Sequence, residues 1–420
     1  MHNFAPSICG QTYLYGSHAD SSVSSRIVAA LTMHIERQIL CQALSESMQR
    51  FPYMAVSSQL EDERIVFVPA EGAVPVFEVG EDIPQEFSDP RMNGWLIRVT
   101  FFHKHLYVDF HRSIADEFGM ITFVKALILR YVELSGYQVN NDGSVKLLSS
   151  QPFEGEREDA MIRMENMHSS RPVWYMDAKA VVPEKVMGLP EQVVQVRIPQ
   201  NKLKRDYKDL PTVPVTYVAP FISHAVHEIL ENEMSQGEYV VAAVHVNLRP
   251  YFPSASLLPY STTVLLAYNR NLNEYPYNIV LMSQKKLLEA QLKNDTLAYS
   301  AQRKISDIEK TLENSACLND LNTSFSALQE NRNSCSTYDI CRIGNLILPE
   351  SLQRLVSELY PVIPSSGKMV SVTVSSYKGE LSVTISGRRH SDTVARRLVE
   401  LLKDNDIDAY IADRYDFCPL

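Results

Sequence analysis

Apolar and polar positions along the chain follow two periods, and the switches between them mark out the elements. Arg26 to Ile35 is apolar enough for a buried strand. Glu36 to Arg50 changes period. Ile39, Leu40, Ala43, Leu44, Ser47 and Met48 share one helical face, and Phe51-Pro52 stops the helix. Ala55 to Leu60 and Arg64 to Val68 form a hairpin across Glu61–Glu63, and Pro75 to Val79 forms a short strand. Trp95 to Phe102 and His105 to Phe110 form a second hairpin. In its second strand Leu106, Val108 and Phe110 alternate with Tyr107, Asp109 and His111. Just beyond, Phe118, Ile121, Val124, Ile128 and Tyr131 recur at helical spacing. That helix runs to about Ser135, with Gly136 at the C-cap.

From about residue 138 to Arg171 the chain turns polar, which predicts a linker. The pattern then resumes. Val193 to Ile198 is a strand. Val215 to Glu231 is helical, with Pro220 predicting a kink or a late start. Tyr239 to Val246 is a strongly apolar strand ending at Asn247-Leu-Arg249, and Thr262 to Tyr268 is another strand. Asn278 to about Leu312 reads as one long helix, and Cys317 to Ser336, rich in Asn and Ser, as a loop. Met369 to Val374 and Leu381 to Ile385 form a hairpin, and Asp392 to Lys403 the last helix. The expected division is an N-terminal subdomain, 1–171, including the linker, and a C-terminal subdomain, 172–420.

Composition narrows the class. At 420 residues, 45% hydrophobic and 21% charged, the chain can bury a large core. A net charge of -10 argues against a general nucleic-acid binder. No apolar run approaches the roughly 18 residues that cross a bilayer. The N-terminus lacks a basic stretch followed by an apolar one, so the expected location is the cytoplasm, without a signal peptide. Cys9, Cys41, Cys317, Cys335, Cys341 and Cys418 are scattered. None forms Cys-x-x-Cys, so free thiols are expected, with no metal site.

The candidate chemistry lies between the strand ending at Phe110 and the helix that follows. There His111, Arg112, Asp116 and Glu117 crowd one turn. Such a turn opens into whatever cleft lies beyond the sheet, and ionisable groups gathered there need a partner or a task.

The stretch Val108-Asp-Phe-His-Arg-Ser-Ile-Ala-Asp116-Glu117 resembles the H-x-x-x-D-G signature of the chloramphenicol-acetyltransferase-like superfamily. That superfamily includes alcohol acetyltransferases, plant acyltransferases and the condensation domains of peptide synthetases. The opening order is also similar: a strand, a helix ending in Arg50-Phe51-Pro52, then a hairpin. Asp116 matches the motif's Asp. Arg112 stands where the catalytic His belongs, His111 at the non-catalytic place before it, and Glu117 replaces the Gly.

The resemblance implies an α/β (α+β) fold of two acetyltransferase-like subdomains. Each is a mixed sheet flanked by helices, with a channel between them. It implies transfer of an acyl group from coenzyme A or an acyl-carrier protein to an alcohol or amine. Coenzyme A would then be a substrate, and no cofactor would be tightly bound. It also implies a structural ion pair between Asp116 and Arg249, because Asn247-Leu-Arg249 resembles the place from which the family's Arg comes. A buried carboxylate at a turn needs such a partner. The family's later Asp-Phe-Gly-Trp-Gly motif has no counterpart in Leu257-Leu-Pro-Tyr-Ser-Thr-Thr263.

Arginine cannot serve as the base. It stays protonated and has no acceptor lone pair. Losing the base costs roughly 10²–10⁴ in rate. Three readings stay open. The turn is a ligand-binding or structural remnant, with Arg112 holding an anion or pairing with Glu117 or another carboxylate, and the channel binding a small molecule or a partner; this reading is preferred. Alternatively, a one-residue slip brings His111 to the channel as base. In the third reading the reaction uses no base, or one from elsewhere. Glu117, His245, Ser261, Thr262 and Thr263 are candidate channel-lining residues. The hydroxyls suit an oxyanion site or plain strand positions, and His245 suits the channel or the core.

Overall fold

The structure is a computed structural model that describes residues 3–16, 23–172, 179–184, 186, 188–200, 214–269, 271 and 274–417. Cys418 lies outside the described residues.

A five-stranded mixed sheet runs in the order Val356–Val362, Ser24–Leu31, His105–His111, Ile97–Phe102, Val76–Glu78. Only the last pair is parallel. One face carries Ile27, Ala29, Leu106, Val108 and Phe110 into a core closed by the helices Arg37–Arg50 and Glu117–Leu134. The alternation read from the sequence is the alternation of this sheet. The strand Val356–Val362 comes from late in the chain and forms the edge of this sheet. The two halves are therefore interlocked.

An eight-stranded mixed sheet runs Ser261–Tyr268, Glu238–Asn247, Tyr338–Asn345, Ser371–Tyr377, Glu380–Gly387, Gln192–Pro199, Tyr410–Asp416, with Lys179–Ala180 also paired to Glu238–Asn247. The helices Pro214–Leu230 and Ser391–Asp404 bury their apolar faces on it. The N-terminal helix Ile8–Tyr15 joins this half, packing against Leu318–Ser334 and Asn294–Glu313. Tyr15 stacks on Phe325 there at 5.5 Å. Among the described residues no helix is long and apolar enough to cross a membrane.

A buried clamp joins the sheets. Asp109 lies between Arg26, whose Nε is 2.6 Å away, and Arg98, whose Nη2 is 2.8 Å away. Arg26 also donates to the Phe417 carbonyl and lies 4.3 Å from that ring's centre. Every polar atom of the carboxylate is answered, which makes its burial tolerable.

Four expectations are corrected. The long helix is two, Tyr277–Gln291 and Asn294–Glu313. Lys293 is extended between them, and Asp295 in the first turn complements the new helix N-terminus. The loop expected over Cys317 to Ser336 is the helix Leu318–Ser334. Leu321 and Phe325 are buried at helical spacing, so packing overrides the poor propensity of Asn and Ser. The helix containing Pro220 does not start late; it begins at Pro214. Phe118, in the first turn of its helix, is 43% exposed rather than core, and its ring meets the Arg249 guanidinium at 4.5 Å. The strands Tyr338–Asn345, Val356–Val362 and Tyr410–Asp416 were not anticipated.

Candidate functional site

The site is built on the end of the strand His105–His111. The chain turns there: the Ile114 N–H donates to the His111 carbonyl at 3.1 Å, so strand alternation no longer governs Arg112. Asp116 then caps the next helix, accepting from the Gly119 N–H at 3.0 Å. Its other oxygen takes the Tyr260 N–H at 3.1 Å and Arg249 Nη1 at 2.6 Å. Every nitrogen of Arg249 has an acceptor. It also donates to the Ser256 and Leu258 carbonyls, each at 2.8 Å, and to Asn247 Oδ1 at 3.1 Å. Gly119 permits this junction, since a Cβ there would lie 2.1 Å from the Leu257 carbonyl oxygen.

His111 and Arg112 have opposite surroundings. His111 is buried, its Nδ1 2.6 Å from Ser113 Oγ and its ring edge-on to Phe87 at 5.7 Å. Burial lowers its pKa to about 4. It does not line the main cavity, but Arg112 does. The Arg112 guanidinium lies 4.7 Å from the centre of the Tyr13 ring. Its Nε is 3.4 Å from Glu117 Oε1, an oxygen that also accepts from Ser25 Oγ at 3.0 Å. Glu117 is buried and outside the cavity lining.

The cavity encloses about 340 Å³, within the range for small-molecule pockets. One wall is the edge of the large sheet. Register there places Thr263 opposite His245 and His245 opposite Cys341. His245, Ser261, Thr262, Thr263 and Asp339 all line it. His245 Nε2 is 3.6 Å from Asp339 Oδ2, and its Nδ1 is 3.3 Å from Thr263 Oγ1. Desolvation pushes the Asp339 carboxyl up, but His245, Lys368 and Arg112 outweigh it and hold it below its ordinary value. Thr262 is already engaged, donating to Ser300 Oγ at 3.0 Å.

The opposite wall is the helix pair Asn294–Glu313 and Leu318–Ser334, which brings Arg303, Lys304 and Arg332. Lys304 donates to the Ser261 carbonyl at 3.0 Å, and Arg332 Nη2 is 3.9 Å from Asp307. Lys368 lines the floor with its ammonium on Ser336 Oγ and O and the Asn333 carbonyl. Among the described lining residues, Arg112, Arg303, Lys304, Arg332 and Lys368 face two carboxylates, Asp307 and Asp339. The sequence reading missed both walls' charges. Asp339 alternates with Tyr338 and Ile340, a period-2 signal that was present. Arg332 sat in a stretch whose composition hid its helix.

This architecture is the chloramphenicol-acetyltransferase-like fold, two mixed sheets flanked by helices. Solved structures that share this fold include acetyltransferases and peptide synthetase domains. Polyketide synthase associated protein 5 from Mycobacterium tuberculosis superposes with a TM-score of 0.62 at 13% identity, over 95% of this chain and 96% of that one. TRI101 of F. graminearum, complexed with coenzyme A and deoxynivalenol, gives 0.62 at 11% identity, over 97% and 100%. The epimerization domain from the third module of tyrocidine synthetase B gives 0.56 at 10%, over 96% of each. No protein-family model and no curated protein matches the sequence.

Proposed function

We propose that this is an acyltransferase-fold protein in which the position of the catalytic base has become a binding position. The cavity then holds a small molecule, and His111 takes no part in proton transfer. The observation that carries this reading is that Arg112, not His111, lines the cavity. A guanidinium cannot accept a proton from an acceptor hydroxyl or amine. His111 is buried against Ser113 and Phe87, where it is held neutral but out of reach. The active alternative, transfer from coenzyme A or a carrier protein with His111 as base, requires that imidazole in the cavity. Asp116 and Arg249 serve as the structural pair in either case.

Coenzyme A is bound by TRI101, so it is the first thioester carrier to test. The neighbouring peptide synthetase domain makes a carrier protein a candidate partner. The proposed halves are 1–171 and 172–420, with Val356–Val362 contributed across the junction. The free cysteines fit a reducing cytoplasm.

The test is thioester consumption from acetyl-coenzyme A, alone and with simple alcohols and amines. The expected result is no consumption above a heat-denatured control, by the parent or by His111→Ala. Turnover by the parent that collapses in His111→Ala would overturn the reading.

A further inference from the structure

The structure points to a small organic anion as the ligand of this cavity, its carboxylate or phosphate held by Arg112; we propose this as an extension that rests on the binding reading above. Two independent observations carry it.

The first is the state of the Arg112 guanidinium. Its Nε faces Glu117 at 3.4 Å, longer than an ordinary hydrogen bond, and its Cζ lies 4.7 Å from the centre of the Tyr13 ring. Among the described residues, no acceptor takes a hydrogen bond from its terminal nitrogens. The side chain is only 15% exposed, and what it exposes faces the cavity. A guanidinium presents its donors in a planar fork that matches a carboxylate or a phosphate. Arg249, one turn away, shows what a structural arginine looks like in this fold: carbonyls, an amide and a carboxylate take its donors.

The second observation is the sign of the cavity. The protein carries a net charge of -10, yet among the described residues five cationic side chains and two carboxylates line this cavity. Asp339 is engaged with His245, and Asp307 with Arg332. Low-dielectric walls focus such an excess on whatever enters. An anion is drawn in, a cation is repelled, and a neutral ligand gains nothing from the field. On the sheet wall, His245 and Thr263 offer polar contacts to the body of the ligand. Arg112 stands where a base would face a neutral acceptor, so the ligand differs in kind from an alcohol or amine.

The test uses three probes of one shape: benzoate, phenyl phosphate and benzyl alcohol. Their binding to the full chain is measured by calorimetry at low and high salt, with thermal melts to check folding. At least one anion should bind about tenfold or more tighter than the alcohol, a ratio one charge-assisted pair supports, and that advantage should shrink with salt. Which anion binds identifies the head group. Arg112→Met should abolish the advantage of the anions over the alcohol. If Arg112→Met folds poorly, Arg332→Gln should still weaken the anion selectively, since it lowers the same field. Benzyl alcohol binding as tightly as both anions would overturn the anion assignment and leave the binding reading standing. Failure of all three probes at millimolar concentration would overturn both.

Discussion

Arg249 and Arg112 approach the same turn from opposite sides. Arg249 reaches Asp116 at 2.6 Å, and three further donors go to two carbonyls and Asn247. Arg112 reaches Glu117 only at 3.4 Å, and the rest of its fork opens into the cavity. The same side chain is a structural rivet in one place and an open contact in the other. Residue type does not separate the two roles. The number of acceptors around the guanidinium does. The clamp at Asp109, enclosed by Arg26 and Arg98, belongs with Arg249.

The largest effect that sharpens this comparison is loss of the rivet. Arg249→Ala strands a half-buried carboxylate at a helix cap and should cost roughly 3–5 kcal/mol. Denaturant melts of Arg249→Ala, Asp116→Asn and the double variant measure it. The two losses should be far from additive, and strict additivity would break the pairing.

An intermediate effect comes from His111. Its folded-state pKa of about 4 lies below the ordinary value of 6.5, so the unfolded chain binds its proton first as pH falls. The stability due to the neutral, buried ring is complete above about pH 6.5 and is lost progressively down to about pH 4. The loss is roughly 2–3 kcal/mol across that window. Stability curves for the parent and His111→Gln should diverge over this range. Parallel curves would show that the imidazole is not sealed, which would revive it as a base.

The smallest effect concerns Arg112. Because few contacts hold it, Arg112→Met should cost about 1 kcal/mol or less in the same melts. A loss as large as that for Arg249→Ala would break the contrast and make Arg112 a second rivet.

The sequence by itself determined the frame of the protein. Period-2 and helical spacing located the central strand, the helix after it and the three hairpins, because burial on one face of a regular element leaves a local pattern. The motif spacing also picked out the residues of the turn, Arg112, Asp116 and Glu117, and suggested Arg249 as a partner more than a hundred positions away. Two local patterns were present but masked. Leu321 and Phe325 carried a helical stripe under an Asn- and Ser-rich composition, and Asp339 stood in an unread alternation.

Tertiary structure alone decided which of His111 and Arg112 meets the cavity. The strand ends between them, and the turn that reorients Arg112 is set by contacts with Val23, Tyr13 and Glu117. It also decided the charge of the site. Arg303 and Lys304 share one helix, Arg332 stands on the next and Lys368 precedes the strand Ser371–Tyr377, and each reads locally as an ordinary surface cation. They become a field only because the helix pair and the sheet edge enclose one small volume between them. Spacing along a chain records burial within an element. It carries no record of which charges two distant elements will bring face to face.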